Sequence, residues 1–266
     1  MKRMLTLALA CTLLTACKKD TEKTIETTTD ATVAEETPAL AFENQSYDQK
    51  SDKGCRDICT YVSINVPEAK GVEVVSDSIN NKMFHVVRSI VYFGEKPTTA
   101  KSYKELMASF IASYEDLAKK YPSDTMPWEA KLKATIDYKS DSIIDIKLNH
   151  YTFTGGAHGY EGNRSLIFNA KTGKSLSYDQ IFKDKKAFTA FAEKKFREKF
   201  KVPAGKNINS TGYMFEKDTF ALPQNIFFKE NGLLLLFNPY EMAAYAEGAK
   251  EMLIPYSEAD QFLSVK

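Results

Sequence analysis

The chain has 266 residues with 36 basic and 35 acidic side chains, which leaves a formal net charge of +1 at pH 7. A near-neutral chain without a basic run lacks the electrostatic footprint of a protein that binds a phosphate backbone, so no nucleic-acid partner is expected. Its length and its hydrophobic share of 43% allow one large domain or two small ones with a substantial core.

Residues 1–16 have the order of a secretory signal. Lys2 and Arg3 precede an apolar run that is too short to span a bilayer, and the segment leads into Leu-Thr-Ala-Cys. Small residues before Cys17 form a lipobox, in which the Cys17 thiol is acylated and cleavage leaves this residue as the new N-terminus. Several acyl chains would anchor the protein stably in the cell envelope, with the outer membrane as the expected site. A cleaved soluble signal with an incidental cysteine is the alternative.

Residues 17–52 are rich in Thr, Glu, Lys, Asp and Ala and contain only scattered apolar side chains. Such a segment cannot bury enough surface to offset the entropy lost on ordering, so we predict a disordered tether that starts at the lipidated cysteine. Its opening Cys-Lys-Lys-Asp and its acidic, threonine-rich composition resemble lipoproteins of the Bacteroidetes type.

Cys55 and Cys59 are the cysteines left for other chemistry, because Cys11 is removed with the signal. Outside the cytoplasm two such neighbours are expected to form a disulfide. A redox pair or half of a metal site is the alternative, but no second Cys/His pair lies near in the sequence.

Hydrophobic spacing predicts alternating strands and periodic helices from residue 60 onward. The predicted strands are 60–66, 128–138, 142–153, 163–169, 233–237 and 251–255, and the predicted helices are 72–90, 103–117 and 188–200. Because the helices are grouped apart from successive strands, we predict an α+β fold in which antiparallel sheets carry helices on one face. Its two intimately associated subdomains are expected at 53–125 and 126–266.

Three segments in chain order carry a family resemblance. They are YTFTGGAHG from Tyr151, IFNAKTGKSLSYDQIF from Ile167 and LLLLFNPYEMAAYAEGAKEMLIPY from Leu233. Together they closely resemble the domain-of-unknown-function 3298 family, and the region from about Cys55 resembles its usual partner, domain of unknown function 4163. Similar domains occur in RsiV-type anti-sigma factors, which sense lysozyme by binding it, and beside the catalytic domain of some peptidoglycan deacetylases.

The resemblance implies a partner that is either a cell-wall glycan or a lysozyme-like protein. This chain departs from both comparison proteins, since it shows no sigma-binding segment, transmembrane helix or recognisable deacetylase domain. Neither role is therefore expected to carry over whole.

The loop TGGAHG, residues 154–159, is a candidate turn and a candidate binding rim. Its adjacent glycines predict a turn or bulge with backbone angles closed to other residues. His158 can orient the loop by a local hydrogen bond, contact a ligand, or act in catalysis or metal binding, but its spacing from His150 matches no recognised ligand pattern. The candidate ligand-binding residues of this segment are Tyr151, Thr154, Gly155, Gly156, His158 and Tyr160.

The segment PYEMAAYAEG, residues 239–248, contributes two further candidates. Tyr240 and Tyr245 can each bury a ring and keep a hydroxyl for a partner, a property that core and interface tyrosines share. Core packing is the favoured interpretation, and ligand contact is the alternative.

The sequence contains no G-x-S-x-G elbow, no free cysteine nucleophile and no phosphate-cradling loop. Asp137, Asp141, Asp145 and Glu161 could supply the two carboxylates of a glycosidase, although carboxylates that bracket strands are more often solvated. We therefore expect a lipid-anchored, non-catalytic binding module of the cell envelope, without a cofactor or metal. A hydrolase of envelope polysaccharide and a purely structural lipoprotein are the alternatives.

Overall fold

The computed structural model describes residues 39–266, apart from residues 54, 56–57, 95–97 and 124. The predicted signal, the acylation site Cys17 and most of the predicted tether lie outside the described residues. Within the described part of the chain, no helix combines the length and the apolar character needed to cross a membrane.

A five-stranded sheet with the order β1-β2-β3-β4-β5 lies between the two hydrophobic cores of the described residues. Its strands are β1 Ala41–Lys50, β2 Tyr61–Lys70, β3 Glu129–Lys139, β4 Ile143–Phe153 and β5 Tyr160–Asn169. Neighbouring strands are antiparallel except β2 and β3, which are parallel. A parallel pair needs a long crossover connection, and two helices between β2 and β3 supply it.

The crossover helices α1 Glu73–Val91 and α2 Tyr103–Lys120 cover one face of this sheet. Every fourth residue of α1 from Val75 to Val91 is buried, which places these side chains along one side of the helix. They pack with the buried stripe of α2 and with alternate strand residues such as Leu148 into the first hydrophobic core. The predicted arrangement, helices on one face of a largely antiparallel sheet, is confirmed.

A second core lies on the opposite face of the five-stranded sheet, where it includes Ile143 of β4 and Ile167 of β5. Its other elements are α3 Tyr178–Ile181, α4 Lys185–Lys199, β6 Asn225–Lys229, β7 Gly232–Phe237, β8 Lys250–Pro255 and α5 Tyr256–Ala259. The last three strands form an antiparallel sheet in the order β6-β7-β8. Phe196 of α4 lies among the rings of Phe200, Tyr213, Phe215, Phe220 and Phe237.

The predicted helices and strands are confirmed in type and approximate position, but two strands differ from expectation. Residues 41–50, expected in the disordered tether, form β1, whose Phe42 and Tyr47 pack against the first core. Two apolar side chains suffice for an edge strand with one solvated face, yet they are too few to distinguish it from a tether. Strand β6 was also unexpected, because a short apolar run such as NIFFK shows no alternation.

Residue 125 lies on the connection from α2 to β3, inside the span of the five-stranded sheet. In chain order, the last residues of the first core are those of β5 and Ala170. The second core is built mainly from residues after 176. The division between the two cores therefore comes after β5, later in the chain than the expected subdomain boundary.

Candidate functional site

The TGGAHG loop joins β4 to β5, where Thr152 pairs with Tyr160. Gly155 and Gly156 have φ angles of 102° and 92°, a region that residues with a Cβ atom rarely adopt. The loop is therefore the turn that the paired glycines predict. Gly159 has a second role, because a Cβ atom there would collide with the Tyr151 ring.

His158, at the exposed end of this loop, stacks on Tyr245, with ring centroids 4.4 Å apart and an interplanar angle of 15°. The His158 Nδ1–H donates a hydrogen bond to the carbonyl oxygen of Gly159 over 2.8 Å. Since a carbonyl oxygen only accepts, Nδ1 carries the proton in this hydrogen bond. The local hydrogen bond and the exposed rim are thus both present.

Tyr245 gathers three rings from the two candidate segments. In addition to the stacking on His158, the Tyr245 ring centroid lies 6.5 Å from that of Tyr160 and 5.3 Å from that of Tyr240. We refer to His158, Tyr160, Tyr240 and Tyr245 as the aromatic cluster. Core packing is wrong for Tyr240, which is 57% exposed and has a φ of 69°, an uncommon value for a residue other than glycine.

Asn238 fastens the Tyr240 segment to β5, and Glu241 fastens it to the residue before β6. The Asn238 side chain accepts a hydrogen bond from Asn163 N at 2.8 Å and donates one to Asn163 O at 3.0 Å. The Glu241 carboxylate accepts hydrogen bonds from Asn238 N and Gln224 N, and burial raises the pKa of this carboxyl. These contacts hold the aromatic cluster in place, and no sequence motif identifies them.

His150 lies behind the aromatic cluster, with its ring centroid 5.8 Å from that of Tyr160. It pairs across the sheet with Gly162, and a Cβ atom at Gly162 would come within 2.9 Å of His150 Nε2. The side chain is 3% exposed, and neither ring nitrogen has a hydrogen-bond partner among the described residues. Burial, reinforced by the charge of Arg164, lowers the pKa of His150 to about 4, so the ring is neutral at pH 7.

The remaining predicted ligand-binding residues do not join the cluster. Tyr151 pairs with Glu161 and points to the opposite face of the sheet from its neighbour His150, because successive strand residues alternate. Thr154 is partly buried at the start of the loop. Far from this loop in sequence, before β2, Cys55 and Cys59 lie at disulfide-bonding distance with Cα atoms 4.6 Å apart.

The four carboxylates considered for a glycosidase do not form an accessible pair. Asp145 is fully buried, and Asp137 forms an ion pair with Lys229. Asp141 and Glu161 are exposed, but Asp141 lies just before β4 and Glu161 pairs with Tyr151 near the other end of that strand. At about 3.3 Å per residue, the two are roughly 30 Å apart. Paired glycosidase carboxylates lie within about 10 Å of each other. Among the described residues, no group of three or more His, Cys, Asp or Glu side chains could hold a metal ion.

Two large surface grooves lie on either side of the C-terminal half of α2, away from the aromatic cluster. One has a volume of about 920 Å³ and is lined by Phe93 and Trp128, and the other, of about 850 Å³, by Ile58 and Met126. Neither contains a candidate residue of the TGGAHG loop or the Tyr240 segment. We regard the cluster as the candidate site because two segments of the chain that are far apart in sequence converge there with exposed rings.

Comparison with known proteins gives two family matches. Residues 179–257 match the family described as protein of unknown function (DUF3298), and residues 53–161 match the family described as deacetylase PdaC. The upstream match agrees with the expected resemblance to domains associated with deacetylases. None of the curated proteins matches the chain.

Two solved structures share the fold. A member of the DUF3298 family from Bacteroides fragilis NCTC 9343 has a TM-score of 0.70 and 23% identity, with 86% of this chain and 95% of that chain covered. A DUF3298 family protein from Pseudomonas aeruginosa PAO1 has a TM-score of 0.61 and 19% identity, with 86% and 96% covered. Residues 179–257 thus match the DUF3298 family, and the chain shares the fold of two solved proteins of that family.

Proposed function

We propose that this protein is a lipid-anchored, non-catalytic module of the cell envelope that binds cell-wall glycan through its aromatic cluster. The observation that carries the proposal is the convergence of two separate segments on one exposed surface of rings. The faces of aromatic rings carry negative charge density, and the C–H bonds of a pyranose face present weak positive charge, so the two surfaces are complementary.

The hydrogen bonds around the aromatic cluster are typical of a binding surface that is formed before the ligand arrives. Asn238 holds the Tyr240 segment against β5, Glu241 ties it to Gln224, and His158 is fixed by its hydrogen bond to Gly159. Binding then costs little additional ordering of side chains. The strained backbone of Tyr240 also supports a functional role, since such conformations concentrate at ligand-binding sites.

Tyr245→Ala is expected to weaken binding of soluble peptidoglycan fragments by about tenfold or more, because this ring contacts the other three. Affinity would be measured by calorimetry with Pro38–Lys266, which forms one compact unit. Tyr121→Ala is the matched control, since Tyr121 is 47% exposed on a different element, after α2. Equal weakening in both variants, or none in either, would contradict the proposal. Tight binding of lysozyme with no binding of glycan would assign the surface to a protein partner.

Lipid anchoring is proposed from the lipobox at Cys17, which lies outside the described residues. Cys17→Ala in the full chain should abolish metabolic labelling with palmitate and release the protein from the membrane fraction, because the acylated thiol is gone. Cys11→Ala is the control, as that residue belongs to the removed signal. Palmitate label that persists in the Cys17 variant would rule out this anchor.

A further inference from the structure

Arg164 is a positively charged residue beside the aromatic cluster that no described carboxylate pairs with. Its guanidinium is partly buried and donates one hydrogen bond, from Nη1 to the Asn163 carbonyl oxygen at 3.1 Å. Within the described part of the chain it forms no ion pair. A guanidinium offers five N–H donors, so most of them are free to meet another group.

The strand geometry places Arg164 in line with the cluster. Tyr160, Gly162 and Arg164 alternate along β5 and therefore point to the same face of the sheet. His150 pairs with Gly162 and fills the space above it, between the Tyr160 ring and Arg164. The result is a continuous row that begins with the stacked pair His158 and Tyr245 and ends at the guanidinium.

The nearest acidic groups do not neutralise this end of the row. Glu241 is close enough to Arg164 for their charges to interact, but its oxygens already accept hydrogen bonds from two backbone N–H groups. Glu161 points to the opposite face of β5 from Arg164, because the two residues differ by an odd number of positions. An incoming carboxylate would therefore meet a cation without a competing partner.

His150 gives a second, independent indication of a ligand at this row. It is a polar side chain with almost no exposure, and both ring nitrogens lack a hydrogen-bond partner among the described residues. Leaving buried polar atoms unpaired is costly, and native proteins usually satisfy them with protein, water or ligand. Both nitrogens are covered in the unbound protein, so a sugar hydroxyl or a bridging water would complete this hydrogen bonding after a small movement of the covering side chains.

We propose that the ligand is an acidic glycan, in which a pyranose stacks on Tyr245 and Tyr160 and a carboxylate pairs with Arg164. This inference rests on the proposed function, since it names the chemical class of glycan that the same surface takes. The carboxylate can belong to a uronic acid or to a lactyl ether on an amino sugar. Both present the planar pair of oxygens that a guanidinium binds through two parallel hydrogen bonds.

The test compares three disaccharides on Pro38–Lys266 by calorimetry. The probes are N-acetylglucosaminyl-N-acetylmuramic acid, digalacturonic acid and the neutral N,N′-diacetylchitobiose. We expect at least one acidic probe to bind about tenfold more tightly than the neutral one, and Arg164→Gln to remove that advantage. Arg164→Lys should retain part of it, because the charge remains but the bidentate geometry is lost. Arg88→Gln, on α1, is the control for removing an arginine elsewhere.

A second measurement needs no variant and so does not depend on folding of the Arg164 proteins. Added NaCl should weaken binding of the acidic probe and leave binding of the neutral probe nearly constant, because only the charged contact is screened. Equal affinity for acidic and neutral probes would overturn the acidic-glycan inference and leave the proposed glycan function standing. If none of the three probes binds, both fail. The acidic probe that binds more tightly identifies the source of the carboxylate.

Discussion

Asp145→Asn is expected to raise the free energy of unfolding at pH 7 by up to about 4 kcal/mol. Each pH unit between the ordinary aspartate pKa and pH 7 contributes about 1.4 kcal/mol to this difference. Asp145 is fully buried between β4 and β6, and this burial raises its pKa to about 8. The folded protein thus holds a neutral carboxyl at pH 7, whereas the unfolded chain ionises it freely. That difference favours the unfolded chain, and an asparagine does not ionise in either state.

The hydrogen bonds around Asp145 are compatible with the protonated carboxyl that its burial favours. Its Oδ2 accepts from Phe228 N at 2.7 Å, and its Oδ1 lies 3.2 Å from Ser165 Oγ. Ser165 has one hydroxyl proton, and the Ile226 carbonyl oxygen, 2.8 Å away, can only accept it. When Ser165 Oγ donates to Ile226, a protonated Oδ1 can donate in turn to Ser165 Oγ, so the neutral carboxyl is compatible with both contacts. Asparagine reproduces both contacts, with its oxygen at Phe228 N and its amide nitrogen at Ser165.

The sign of the pH dependence distinguishes this effect from a general gain in stability. Stability from a raised carboxyl pKa is fully present below pH 3.8 and is lost as pH rises from there to about 8. Chemical denaturation of the wild type and Asp145→Asn should therefore give equal stabilities near pH 4 and a growing advantage for the variant up to pH 8. Asp141→Asn, at an exposed position, should show no such trend. An Asp145→Asn protein that is less stable at pH 8 would refute the neutral carboxyl.

The Asp145→Asn protein should lose about 3 kcal/mol of stability between pH 6.5 and pH 4, because of His150. The folded pKa of His150 is lowered, so its contribution is present above pH 6.5 and is lost as pH falls to about 4. In the wild type Asp145 gains stability over the same interval. The two contributions oppose each other, and the wild-type curve should be nearly flat there.

Removing His150 provides the control for this assignment. In the double variant Asp145→Asn, His150→Phe, the fall between pH 6.5 and pH 4 should largely disappear, while an aromatic ring remains against Tyr160. His85→Phe in the same background changes an exposed histidine on α1 and should leave the fall in place. A fall that persists without His150 would have to come from other titrating groups.

Local periodicity was sufficient to predict α1, α2 and most of the strands, because each buries one side of a regular element. The aromatic cluster could be predicted only in part. The TGGAHG loop and the Tyr240 segment each attract attention by composition, but they are about 80 residues apart. Their meeting depends on the side-chain amide of Asn238 binding the backbone of Asn163, a contact that has no sequence signal.

Buried polar groups were harder to predict for a related reason. Asp145 lies among Ile143, Ile144 and Ile146, and such an apolar setting is a signal that could have suggested burial. The burial of His150 depends instead on the missing side chain of Gly162 on the neighbouring strand. Whether a strand residue such as His150 is buried therefore depends on which residue of the neighbouring strand it pairs with, and the sequence of one strand does not show this register.

The hydrogen bonds of Asn238 also determine how copies of this protein can associate. Strand β5 is at the edge of its sheet, where exposed backbone groups would invite a strand from another molecule. Asn238 and Asn225 occupy the N–H groups of Asn163 and Ser165, and the chain after β5 folds back onto Ile167 and Asn169. The asparagine amides thus imitate an absent neighbouring strand. Intermolecular sheet extension is blocked along this edge, which leaves β1 as the strand of the five-stranded sheet where it could begin.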